Sequence, residues 1–137
     1  MPKPRDRSFA LGATVFVVAV IALGFYNSGS PRVQRQMAID RARVDRLRAI
    51  VQEIHNRTAL PASLEDIKLS YVRITDPETD AVFEYHPIDP THYQLCAVFN
   101  SESEDWQQKP NGGSGWAHPA GRYCYSLDLK TDPWRMQ

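Results

Sequence analysis

Glu102, Glu104 and Asp105 crowd into four positions and run on into Trp106, a Gly112-Gly113-Ser114-Gly115 tract, Trp116 and His118. Carboxylates at this density supply the hard oxygen donors that calcium takes, although their spacing is not that of an EF-hand loop. The competing reading is a solvated acidic loop that holds no metal. Trp106 and Trp116 pose a second choice in the same segment: they cover an edge of a small sheet, or they offer contact area to a partner. Trp106, set between the acidic residues and the glycine tract, suits a partner contact best. Trp116 leads through Ala117-His118-Pro119 towards a strand and suits edge capping as well.

Other chemistry is thinly represented. The sequence has no nucleophile motif, no phosphate-cradling glycine loop and no zinc-ligand spacing. His55, His86, His92 and His118 are scattered, and none has a second histidine one helical turn away. His86 and His92 flank one turn, which is at most part of a metal site. Asn56-Arg57-Thr58 matches a glycosylation acceptor, but such triplets are common and this one ends a helix. These observations point to a non-catalytic domain without a resident cofactor.

The elements that position these residues follow from periodicity. Met37, Val44, Leu47, Val51 and Ile54 fall on one face of a helix running to Arg57. Arg41, Arg43, Arg46 and Arg48 mostly take the remaining surface. The stripe suits packing on the domain's own sheet, and Asp40 interrupts it as a coiled-coil seam. Ser63 and Asp66 mark a short helix carrying Leu64 and Ile67. From Tyr71 the period becomes two, which predicts strands at 71–74, 82–86, 93–99 and 122–129, with a turn at Asp76-Pro77-Glu78-Thr79-Asp80.

Within the last two strands, Tyr93, Leu95, Ala97 and Phe99 share a face, as do Tyr123, Tyr125, Leu127 and Leu129. Cys96 and Cys124 both lie on the opposite face. Antiparallel pairing brings them to the same side of the sheet and predicts a disulfide. Two cysteines fit one bridge better than a metal cluster, and a bridge implies an oxidising compartment. Two buried free thiols are the alternative.

Phe9 to Tyr26 is eighteen residues without a charged side chain. At about 1.5 Å per residue a helix of this length spans roughly 27 Å, close to the hydrocarbon thickness of a bilayer. The segment that follows, residues 27–31, lacks a clean signal-peptidase site, so the run reads as a retained single-pass anchor. The expected organisation is a tail at 1–8, an anchor at 9–26, a linker at 27–31 and a head at 32–137.

The formal net charge of zero conceals a segregation. Residues 31–57 hold seven arginines against Asp40, Asp45 and Glu53, whereas residues 58–137 hold six basic and twelve acidic residues. A basic stalk thus carries an acidic head, and an acidic head argues against nucleic acid as a partner. Lys3, Arg5 and Arg7 favour a cytoplasmic N-terminus, the stalk arginines favour the reverse, and the expected disulfide decides for a periplasmic head on the inner membrane. The expected partners are the lipid bilayer and another envelope protein.

Leu60-Pro61-Ala62-Ser63-Leu64-Glu65-Asp66-Ile67, then Asp76-Pro77-Glu78-Thr79 and Phe83-Glu84-Tyr85, set behind an apolar helix and a stalk, resemble the pilin-like superfamily. The likeness is to the periplasmic domain of the major pseudopilins of type II secretion and covers roughly residues 35–99. It implies an α+β fold in which the stalk helix packs on a small antiparallel sheet of three to four strands. It also implies a calcium site in a late loop, which here falls on Glu102, Glu104 and Asp105. The sequence departs from the family at Asp6-Arg7-Ser8-Phe9-Ala10-Leu11-Gly12, which lacks the glycine-phenylalanine junction where prepilins are cut. Residues 9–26 also lack the glutamate that guides fibre assembly. The expectation is a pilin-like head on a permanent anchor, a structural or interaction component. The alternatives are a calcium- or ligand-sensing module using the 100–121 loop, or a subunit of a secretion or pilus assembly.

Overall fold

The computed structural model describes residues 4–27, 30–67, 71–107 and 115–131. The chain is α+β and separates into two compact units, Met1–Arg35 and Gln36–Gln137. The uncharged run forms helix α1, Pro4–Asn27. From Ser8 to Tyr26 its side chains are exposed on every side, Phe9, Phe16 and Phe25 among them. The Thr14 hydroxyl, midway along it, donates to the Ala10 carbonyl at 2.9 Å and so needs no outside partner. Among the described residues this is the one helix long and apolar enough to cross a membrane.

Helix α2 spans Pro31–His55. Proline suits its first position because an N–H there would be unbonded in any case, and the Ser30 hydroxyl accepts from the Val33 N–H at 3.4 Å. Val44, Leu47, Ile50, Val51 and Ile54 are buried, so the apolar stripe is the core face, with Ile50 an addition to it. At the far end His55 reaches the carbonyls of Asp128 and Thr131 and fixes the last turn against the end of the sheet. Ser63 and Asp66 bracket one 3-10 turn, Leu64–Ile67. Here the Asp66 carboxylate accepts from the Ser63 N–H at 2.9 Å, the backward half of a capping box.

Three antiparallel strands follow in the order β1, Glu84–Pro87; β2, His92–Phe99; β3, Gly121–Asp128. Tyr93, Leu95, Ala97, Phe99, Tyr125 and Leu127 join the α2 stripe, Leu64, Ile67 and Trp116 in a single core. The opposite face carries Cys96 and Cys124. They stand directly across from one another in the β2–β3 register, Cα atoms 4.0 Å apart, and are joined by a disulfide.

The strand expected at 71–74 does not form. Its alternation is real, since Val72 and Ile74 are buried while Tyr71 and Arg73 are exposed. The pairing beyond it consists of one isolated bridge, Thr75 to Val82, with the Phe83 N–H donating to the Ile74 carbonyl. The turn at 76–80 closes so tightly that too few ladder bonds remain to define a strand. The following strand accordingly begins at Glu84, two residues later than expected.

Candidate functional site

Arg43 is the residue on which the site is built. It lies on the same helix face as Leu47 and Ile50 and is buried, contrary to the expectation that the α2 arginines share the outer surface. A guanidinium in such a place must be paired and have its N–H groups satisfied. Its Nη1 donates to Asp40 at 2.8 Å, its Nε to Asp76, and its Nη2 to Glu78 at 2.7 Å. Asp40, likewise buried, accepts in addition from the backbone N–H groups of Asn100 and Ser101 and from the Ser101 hydroxyl, each at 2.9 Å. Asp76 accepts from the N–H groups of Glu78 and Thr79, which folds residues 76–80 into their turn. Burial alone raises the pKa of Asp76, but the Arg43 guanidinium and these two N–H donors outweigh it and hold the carboxyl below its ordinary value of 3.8.

The clamp fixes where the long loop leaves β2. Beyond Ser101 the loop is tied to its own return leg: Ser103 donates its N–H to the His118 carbonyl, and the His118 N–H donates to the Ser103 hydroxyl. The His118 ring stacks on Phe99 at 3.6 Å, and burial lowers its pKa, which keeps the imidazole neutral at pH 7. Tyr125 donates its hydroxyl to the Trp116 carbonyl at 2.8 Å, and its ring lies 4.9 Å from the indole. Arg48 of α2 sits over that indole, 5.6 Å from its centroid.

Between α2 and this loop lies an open cleft of about 380 Å³. Met37, Val44 and Trp116 give it apolar lining. Asp45, Glu102, Glu104 and Asp105 also line it, and Arg41 meets Glu104 at 3.6 Å where both are largely exposed. Two buried donors belonging to lining residues, the Trp116 indole N–H and the Arg48 Nε–H, have no acceptor.

The structure therefore gathers Trp116, Glu102, Glu104 and Asp105 around one cleft. Trp106 does not line it; its ring stands edge-on to Tyr123 at 5.4 Å. Residues 108–114, which include most of the glycine tract, and Trp134 lie outside the described residues. Glu102 accepts from Gln107 and Glu104 faces Arg41. Among the described residues, the donor atoms that do converge within 4.8 Å belong to Glu84, His86 and Cys96 on the outer face of the sheet. That sulfur is committed to the bridge, and Glu84 is held by Arg122 across the sheet. His86 and His92 do not meet: each turns to its own carboxylate, Glu84 and Asp89.

Sequence reasoning missed Arg43, Asp40 and Arg48 as parts of the site. A signal was present, because Asp40 falls between Met37 and Val44 on the apolar stripe, where a carboxylate needs a buried partner. Comparison with protein-family models, with curated proteins and with solved structures gives no match.

Proposed function

We propose that this is a single-pass membrane protein whose pilin-like head lies on the periplasmic side of the inner membrane and serves as a structural or interaction module, with no chemistry of its own. The observation that carries this reading is the pairing of an apolar helix exposed all round with a small head stapled by one disulfide. A helix of that surface needs lipid around it, and a bridge of that kind persists where thiols are oxidised. The pilin-like reading draws support from α2 sharing one core with a three-stranded antiparallel meander. It draws more from the Tyr85 hydroxyl, which donates to the Pro61 carbonyl at 3.0 Å and joins the two segments on which the likeness rests. The cleft beside α2 is the surface through which the head meets another envelope protein.

Topology and retention test this directly. The full chain is expected to stay with the membrane pellet after alkaline extraction, and its head to be digested by protease added to spheroplasts. A head that is protected in spheroplasts, with both thiols open to alkylation after lysis, overturns the reading.

A further inference from the structure

We infer that, once its disulfide is reduced, the outer face of the sheet is a zinc site with Cys96, Cys124, His86 and Glu84 as ligands. The inference goes beyond the proposed function and concerns the head alone, so it does not depend on which side of the membrane the head lies.

Register and parity bring the four residues together. Glu84, Cys96 and Cys124 stand in one row across β1, β2 and β3, and His86 follows Glu84 by two positions on the same face. A carboxylate oxygen of Glu84, a ring nitrogen of His86 and the Cys96 sulfur already lie within 4.8 Å of one another. Among the described residues no other trio of histidine, cysteine or acidic side chains converges in this way. Cys124, bonded to Cys96, holds the second sulfur beside the first. In a tetrahedral zinc site with bonds of about 2.0–2.3 Å the donor atoms stand roughly 3.3–3.8 Å apart, so small movements complete the set. Glu84 and His86, each about half in solvent, have room to make them.

The donor set chooses the ion. Two thiolates and an imidazole suit zinc, whereas calcium and magnesium take oxygen ligands and are poorly served. Charge favours the same ion. Two thiolates and a carboxylate around zinc(II) leave one negative charge, and the Arg122 guanidinium, which holds Glu84 and lies 3.7 Å from the Cys96 sulfur, offsets it. Reduction is the gate. Cys96 is 1% exposed and Cys124 is partly exposed, so an incoming dithiol reaches Cys124 first. One thiolate of the dithiol attacks the Cys124 sulfur, the Cys96–Cys124 bond breaks, and Cys96 leaves as a thiolate. The second thiolate then attacks the mixed disulfide and releases Cys124. Two electrons pass to the bridge, and the dithiol departs as a cyclic disulfide. Zinc(II) binds the freed sulfurs as thiolates, their protons going to solvent, and ties the same two strands that the bridge had tied.

The test takes the full chain in detergent, reduces it with a phosphine, desalts it without oxygen and titrates it with cobalt(II), then zinc(II). One cobalt per chain is expected, with near-ultraviolet thiolate charge transfer and the visible bands of a tetrahedral ion, both bleached by zinc. The oxidised chain is expected to show neither. His86→Ala and Glu84→Gln are each expected to weaken zinc by at least about tenfold. Zinc is expected to raise the melting temperature of the reduced chain and to leave that of the oxidised chain unchanged. Glutathione, a monothiol that stops at the first exchange, is expected to be trapped on Cys124 by alkylation and mass spectrometry. Absence of tetrahedral cobalt in the reduced chain overturns the inference, as does equal binding by the oxidised chain. It is equally overturned by an affinity that neither ligand substitution moves, by zinc that fails to raise the reduced chain's melt, or by an adduct confined to Cys96.

Discussion

Arg43 shows how a single charged residue can organise a small head. With its side chain 4% exposed, it neutralises one carboxylate of its own helix and two of the turn at 76–80. Buried pairs of this kind add little net stability over an apolar substitute, but breaking one is costly because the surviving charge is stranded. Arg43→Met is therefore expected to cost about 3–5 kcal/mol in chemical denaturation. The double variant Arg43→Met, Asp76→Asn is expected to cost less than the sum of the two single changes, since the residues share one network. Asp76 also sets an acid limb. Its folded pKa is depressed, so its contribution is complete above the unfolded value near 3.8 and is lost as pH falls through the lower folded value. Stability is expected to fall below about pH 4, and Asp76→Asn to flatten that fall, in thermal melts across pH 2–6. At this scale the sequence was only half legible. A charge on the stripe was visible at Asp40, but apart from Arg43 its partners lie 60 and 61 positions away, and no local pattern announces them.

At the scale of elements, legibility followed the length of the repeating pattern. The α2 stripe and the alternations of β2 and β3 extend far enough that period alone fixes element, face and cysteine parity. The segment at 71–74 alternates equally well, yet its ladder is cut short by the Asx-type turn at Asp76, a competition that periodicity does not register. The disulfide belongs to this scale because it joins two neighbouring strands across a separation of 28 residues. Replacing both cysteines by serine is expected to cost about 3–4 kcal/mol in the chain-entropy model. The measurement is the shift in denaturant midpoint, with the m-value watched for expansion of the unfolded state. The outer-face Glu84–Arg122 pair is exposed and is expected to change that figure little.

At the scale of the whole molecule, the gross division into apolar helix and folded head was legible because it depends only on where charged residues are absent. The cleft was not, because it is made by a helix and a loop more than fifty positions apart, and its lining mixes residues that look unremarkable singly, such as Met37, with others that resemble a metal cluster. The clamp has a consequence on this scale. Helix α2, the turn at 76–80 and the start of the loop at 100–101 are knotted at one point by backbone amides given to carboxylates. Amide hydrogens of Glu78, Thr79, Asn100 and Ser101 belong to no ladder, and in an ordinary surface loop they would trade with deuterium within seconds to minutes. Here they are expected to exchange as slowly as those of the central strand, and to be released together in Arg43→Met. A loop that keeps its protons like a sheet is one whose opening requires the whole head to open.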